Sequence, residues 1–353
     1  MRAWRQPSFA VPRWRANNTG MTAPRSTTVR ARIGLFLGLL GVLAVASCRD
    51  APSSSAAPVD ADGPVRAVVS IAPLAWVFDG LPASIVEVHV VVPTGATPHG
   101  FEMRPSDRAA IAVADVVSTV GLGIDGSVES VIDAEPRERR RHVSFQVAAG
   151  IESDGHAHHH HHDHAHDHDC GDTDPHLWLD PVLMRTYVEV AATEIRSALA
   201  ARRDAGVPGA WDDAIATFDD LIADRLAACD AVAEAYSSQL TPHKGKAIIT
   251  YHGAFRRIVE RYGLKEGAVL RPIEAVEPTL GGLADAAMVM QRESIGAVFT
   301  EPQFPKDGPE RLATMTGAQV LELDPIGRDG EAWDDMMMRN LDALVQGLEL
   351  TGQ

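Results

Sequence analysis

Nine histidines and two aspartates crowd into the 13 residues from His156 to His168, reading HAHHHHHDHAHDH. The imidazoles are His156, His158, His159, His160, His161, His162, His164, His166 and His168. Imidazole and carboxylate together suit Zn, Cu or Ni, and a tract of this composition reads as metal-binding. An expression tag would have similar composition, but this run is internal, interrupted by Asp and Ala, and flanked by ordinary sequence. So many adjacent donors cannot all face one ion. The segment therefore suits capture of metal rather than tight, selective binding.

Isolated donors that follow apolar runs are better candidates for the main site. His99 follows Val86–Val92 in VVPTGATPHGFE, and His176 follows His142–Val147 in DPHLWLDP. His252 follows Lys246–Thr250 in TYHGAF, and Asp324 ends Ala318–Leu323 in LELDPIG. Three neutral imidazoles and a carboxylate match four-coordinate Zn²⁺. Any one of these histidines taken singly reads as a satisfied polar residue. Together, in a chain already rich in metal donors, they favour a site. Glu301, in FTEPQFP, is the main rival of Asp324 as fourth ligand. Glu102 lies three residues after His99 and either orients that ring or competes for the ion. His89, His142 and His243 read as surface, strand or turn positions.

The elements that must hold these donors alternate along the chain. Arg66–Ile71, Val86–Val92, Asp115–Val120 and His142–Val147 are short and β-branched, as strands should be. Helical patterns fall near Leu74–Leu81, Ser106–Ala114 and Ile124–Asp133. From Pro181 to Leu240 there is no strand signal, and the region reads as two helices broken at Gly206-Val207-Pro208-Gly209. Trp211, Ile215, Phe218, Ile222 and Leu226 recur at helical spacing in the second. Alternation then resumes, with strands at Lys246–Thr250, Ala297–Thr300 and Ala318–Leu323. Helices are expected near Ala254–Tyr262, Leu280–Glu293, Pro309–Met315 and Trp333–Leu348. The expected fold is α/β, with two similar lobes joined by a long helix. Each lobe is a mainly parallel sheet flanked by helices. The four donors all lie where strands end, on the side where open parallel sheets form ligand crevices.

The chain of 353 residues carries 32 basic and 48 acidic side chains, a formal charge of −16. The first 47 residues hold seven Arg and no acid, so the remainder has 25 basic against 48 acidic residues. That acidic body excludes nucleic acid as a partner and would attract cations. The basic stretch is followed by the uncharged run Ile33–Ser47 (IGLFLGLLGVLAVAS), which is shorter than the about 20 residues of a membrane span. It reads as an export signal. Met21 is an alternative start to Met1. Val45-Ala46-Ser47-Cys48 resembles a bacterial lipoprotein box, with Cys48 as the lipidated residue, and Arg49–Pro64 reads as a flexible tether. Three Cys in all do not make a disulfide scaffold. Cys229 reads as a buried hydrophobe, and Cys170 as a thiolate ligand or an exposed thiol.

Six phrases in order carry a family resemblance: PTGATPHGFEMRPSD, the His-rich insertion, DPHLWLDP, YHGAFRRIVERYGL, EPTLGGLADAAMVMQRESIGAVFTEPQF and LELDPIG. From about Val65 onward, the chain resembles the cluster A-I metal-binding solute-binding lipoproteins of ABC importers, in their zinc-uptake branch. The resemblance implies two α/β lobes bridged by a rigid helix, with metal between them. The implied divisions are a signal peptide at 1–47, the lipidated Cys and tether at 48–64 and an N-terminal lobe at 65–207 containing the His-rich loop 154–172. The linker helix follows at 208–240 and the C-terminal lobe at 241–353. It carries the ligand roles over to His99, His176, His252 and Asp324. Manganese and iron relatives tend to have Glu where this chain has His252, which favours zinc as cargo. No Cys follows Cys229, so the cysteine pair of some zinc-branch members is absent. The implied protein is a monomer anchored outside the cytoplasm by lipid, passing Zn²⁺ to an ABC permease with its cytoplasmic ATPase, and is not an enzyme. Two other readings stay open: a zinc hydrolase, using Glu301 or Glu102 as base, and a metal-buffering or adhesin lipoprotein.

Overall fold

Val65–Ile71 (VRAVVSI), with β-branched Val65, Val68, Val69 and Ile71, forms the first strand, β1, which is buried along almost its whole length. A computed structural model describes residues 63–134, 140–151, 174–272 and 276–352. The expected signal, Cys48, the tether up to residue 62, the His-rich segment and Cys170 lie outside the described residues. After β1 come β2 (Val86–Val92), α1 (Pro105–Val113), β3 (Val116–Thr119), α2 (Gly126–Ala134), β4 (Arg141–Ser144) and α3 (Phe145–Ala148). Helices α4 (Pro181–Asp204) and α5 (Trp211–Leu240) follow. The second half runs β5 (Ala247–Thr250), α6 (Arg256–Arg261), β6 (Lys265–Val269), α7 (Leu280–Glu293), β7 (Ala297–Thr300), α8 (Asp307–Thr316), β8 (Gln319–Glu322) and α9 (Trp333–Glu349).

The strands make two four-stranded sheets, ordered β2-β1-β3-β4 and β6-β5-β7-β8, and every pair within them is parallel. The two orders are the same pattern. In each, the order reverses between the second and third strands, where a ligand crevice opens beyond the carboxyl ends. The lobes are therefore similar in topology, as the alternating pattern implies.

Differences from the expected elements have local causes. The fourth strand stops at Ser144 rather than running to Val147, because the Ser144 hydroxyl accepts the Val147 N–H and caps α3 while Phe145 turns into the core. The segment around Leu74 forms a 3₁₀ helix over Ala72–Phe78. Strand β6 (KEGAV) carries no apolar alternation because it is an edge strand, and its pairing with β5 slips at Ile248/Ile249. A Cβ at Gly267 in β6 would lie 3.0 Å from the Ile248 carbonyl oxygen, so the close strand approach requires glycine. The long helix starts at Trp211, three residues after Pro208, and the Trp211 indole N–H donates to the Val207 carbonyl at 2.7 Å to close the turn.

Helix α5 packs along α4 and reaches α9, where the Tyr236 hydroxyl donates to the Met337 carbonyl at 2.8 Å. One apolar cluster includes Val65, Trp76 and Trp178 from the first half with Phe299, Leu323, Trp333 and Met336 from the second. Trp76 and Trp333 meet with ring centroids 5.0 Å apart. A smaller cluster around Ile249, Met290 and Val298 fills the far side of the second sheet.

Candidate metal centre

The loop after β2 delivers His99. The Thr97 hydroxyl accepts the His99 backbone N–H at 3.3 Å, and Gly100 follows in the left-handed region at φ 68°, which glycine adopts without strain. His176 enters from the segment before the 3₁₀ turn Leu177–Leu179, and His252 lies two residues beyond the end of β5.

These three rings converge. Their donor atoms lie within 4.8 Å of one another, and the ring centroids are 4.9 to 5.4 Å apart. The Nε2 atoms of His99 and His176 are 3.1 Å apart. Two nitrogens bound tetrahedrally to one zinc, each at about 2.0–2.1 Å, would be separated by roughly 3.3 Å. The spacing is already that of ligands sharing an ion.

Each buried ring is oriented by a carboxylate. The Nδ1 of His176 lies 2.6 Å from Asp174 Oδ1, which also accepts the His176 backbone N–H at 3.0 Å. Arg257 donates to the Asp174 backbone carbonyl and so ties this segment to the second half of the chain. The Nδ1 of His252 lies 3.0 Å from both oxygens of Glu301, itself 2% exposed at the end of β7. A carboxylate on Nδ1 fixes the tautomer that presents an Nε2 lone pair to a cation. Burial pushes the His176 imidazole down to about 4; Asp174 opposes that shift, while His252 and His99 add to it. The ring is therefore neutral at pH 7, the form that coordinates metal. The Asp174 carboxyl feels burial most, yet hydrogen bonding and charge from His176, with Arg257, hold it below its ordinary value.

The cavity at this point is about 10 Å³, lined by the three histidines, Glu301, Gln303 and Phe304 among others. That is room for about one water-sized sphere, the scale of a single ion.

Asp324 is buried but lies outside the three-histidine group. Its Oδ1 accepts Gln303 Nε2 at 2.9 Å and the backbone N–H groups of Ile326 and Gly327 at 3.1 and 3.0 Å. Its Oδ2 accepts from Arg339 Nη2 at 3.2 Å. Pro325 and Ile326, just after it, line the cavity, so the carboxylate stands behind the wall. Glu102 is exposed and does not line the cavity. His89 bonds Asp107, and His142 bonds the Thr119 hydroxyl, so both serve local structure. Cys229 is buried in α5, and burial pushes its thiol up to about 12, which makes it inert. Sequence reasoning missed Asp174, Gln303 and Arg339. For Asp174 a signal existed: a carboxylate two residues before a ligand can reach back to its ring.

Comparisons with known proteins find relatives over most of the chain. A family model for the periplasmic zinc-uptake complex component A, ZnuA, matches residues 67–347. The high-affinity zinc uptake system protein ZnuA of Haemophilus ducreyi is 28% identical over 278 residues, covering 74% of this chain and 84% of that one. The manganese-binding lipoprotein MntA of Halalkalibacterium halodurans is 27% identical over 299 residues, covering 82% and 90%. Among solved structures, the periplasmic zinc-binding protein TroA from Treponema pallidum superposes with a TM-score of 0.64 at 18% identity, over 81% of this chain and 99% of that one. That last likeness establishes the fold.

Proposed function

This chain belongs to the family of the periplasmic zinc-uptake complex component A, whose members are metal-binding solute-binding proteins of ABC importers, and from that membership we propose that it captures Zn²⁺ outside the cytoplasm for delivery to a membrane permease driven by a cytoplasmic ATPase. The observation that carries the reading is the convergence of His99 and His176 with His252, from opposite sides of the crevice, around an ion-sized cavity. Asp324 is the candidate fourth ligand and Glu301 its rival: Glu301 lines the cavity but faces His252 with both oxygens, whereas Asp324 stands behind the lining residues Gln303, Pro325 and Ile326 and would have to release a hydrogen-bond partner to hold an ion. The anchor is a lipid on Cys48, and the His-rich run His156–His168 recruits metal to the crevice. Among the described residues no helix is long and apolar enough to cross a membrane.

Manganese is the second reading, since one relative is named for it. The donor chemistry speaks for zinc: three imidazoles suit it, whereas Mn²⁺ is better served by oxygen. Hydrolysis has less support, because of its two candidate bases Glu301 faces His252 with both oxygens and Glu102 does not line the cavity. A passive zinc buffer would have the same centre but no permease partner.

Isothermal titration of metal-stripped protein with Zn²⁺ and Mn²⁺, in wild type and in His99→Ala, His176→Ala and His252→Ala, tests the site. Each substitution should abolish tight zinc binding while the fold persists by circular dichroism. Tight binding retained in all three would end the reading. Zinc-limited growth of a deletion strain separates an importer from a buffer.

A further inference from the structure

The element that supplies His252 also grips the segment that supplies His176. His252 precedes the 3₁₀ turn Gly253–Phe255, which runs straight into α6, and α6 carries Arg257 and Arg261 four residues apart on one face. Arg257 donates to the backbone carbonyl of Asp174 through Nε at 3.1 Å and through Nη2, and its Nε lies 3.7 Å from Asp174 Oδ2. Arg261 reaches Asp180 Oδ2 through Nε at 2.7 Å and Nη2 at 2.5 Å. The other Asp180 oxygen accepts the Val182 and Leu183 N–H groups at 3.0 and 3.3 Å and so caps α4. The two anchors stand two residues before His176 and four after it.

We propose that Arg257 and Arg261 are positioning residues that bolt His176 to His252 in the metal-free protein, so that an ion meets a ready pair of imidazoles and leaves when His99 parts from that pair. This rests on the reading above that the three histidines hold the cargo. To deliver an ion, the crevice must open somewhere among its ligands. Opening between His176 and His252 would break the bonds of both arginines, and behind them the indole bonds from Trp178 to Pro325 and from Trp333 to Trp178. Helix α4, continuing from Asp180, packs on the first sheet, so the bolt also holds that lobe against α6 and serves as a pivot. The His99 loop, residues 93–104, is built differently. The N–H groups of Ala96 and Phe101 close local turns on the carbonyls of Pro93 and Pro98. The loop meets the second half where the Thr94 hydroxyl donates to Asp329, an exposed pair that water replaces at little cost. Two imidazoles ordered in advance lower the cost of ordering the site around the ion.

Hydrogen exchange of the full chain, metal-stripped and zinc-loaded, reads the three segments separately. Zinc should slow exchange in 93–104 by at least about tenfold and change 174–180 and 252–261 by less than about threefold. Asp180→Asn keeps the cap of α4 and removes the charge that Arg261 grips. In that variant and in Arg261→Met, 174–180 should exchange quickly without metal and become zinc-dependent as well. Zinc affinity, read by chelator competition, should fall about tenfold in both, the scale of one charge-assisted hydrogen bond. A merely structural bond would speed exchange by the same factor with and without zinc. Equal zinc protection of all three segments in wild type, or 174–180 unmoved in both variants, overturns the bolt and leaves the metal centre standing. Zinc that alters none of the three segments overturns the centre, and the bolt with it. Should Arg261→Met not fold, Asp180→Asn decides on the same readout.

Discussion

Trp178 donates its indole N–H to the carbonyl oxygen of Pro325 at 2.5 Å, linking residues 147 positions apart. His176 lies two residues before the donor, and Asp324 one residue before the acceptor. The Trp178 carbonyl in turn accepts the Trp333 indole N–H at 2.8 Å. A ligand from the first lobe and the carboxylate loop of the second are thus set in one frame. Trp178→Phe keeps an aromatic ring but removes the donor, leaving a buried carbonyl unpaired at a cost of about 1–3 kcal/mol, and the ring atoms lost from a fully buried site add a cavity term. Urea denaturation of metal-free protein should show that loss, with a weaker zinc affinity beside it. If stability and affinity both match wild type, the indole bond does not set the frame.

Glu301 should matter to zinc without touching it. Glu301→Gln removes the charge that holds His252 Nδ1 at 3.0 Å from both oxygens. Zinc affinity should fall about 10–100-fold, the usual effect of losing a carboxylate behind a ligating histidine. Unaltered affinity in a chelator competition would show that His252 is oriented by other means.

His176 makes the metal-free protein sensitive to acid. Its folded-state value is pushed down to about 4 from 6.5, so between those limits the unfolded chain binds a proton that the folded chain does not. Stability from this group is therefore full above pH 6.5 and falls as pH drops through the window, by at most about 1.4 kcal/mol per pH unit. Denaturation midpoints at pH 7.5, 6 and 5 should decline less steeply in His176→Gln than in wild type. Parallel curves would contradict the burial argument.

Deleting His156–His168 should lower the number of zinc ions bound per chain while leaving the tightest affinity within about threefold, because the main donors lie elsewhere. Loss of the tight site on deletion would mean that the run contributes a ligand.

Much of this centre was legible in the sequence because its donors follow strands, and strands are read from β-branched runs. His99, His176 and His252 meet as their positions after Val86–Val92, the fourth strand and Lys246–Thr250 suggest. Asp324 was singled out by the same logic but stands behind the crevice wall, where its hydrogen bonds with Gln303 and Arg339 come from elements whose pairing no local pattern reveals. Strand β6 escaped notice because an edge strand with Lys265, Glu266 and Gly267 buries little and so loses its alternation. The end of β4 was misplaced because Phe145 and Val147 look alike in a list of apolar residues, whereas one is buried and the other is 74% exposed. The capping hydroxyl of Ser144 between strand and helix was the clue.

The apolar cluster running from Val65 and Trp76 through Trp178 to Trp333 and Met336 has a consequence for how the molecule assembles. The second half keeps a small interior of its own around Ile249 and Met290, but the larger one is common property. A gene fragment encoding only one sheet would leave indole and thioether surface bare to water, so each half is expected to be less stable alone than in the whole chain.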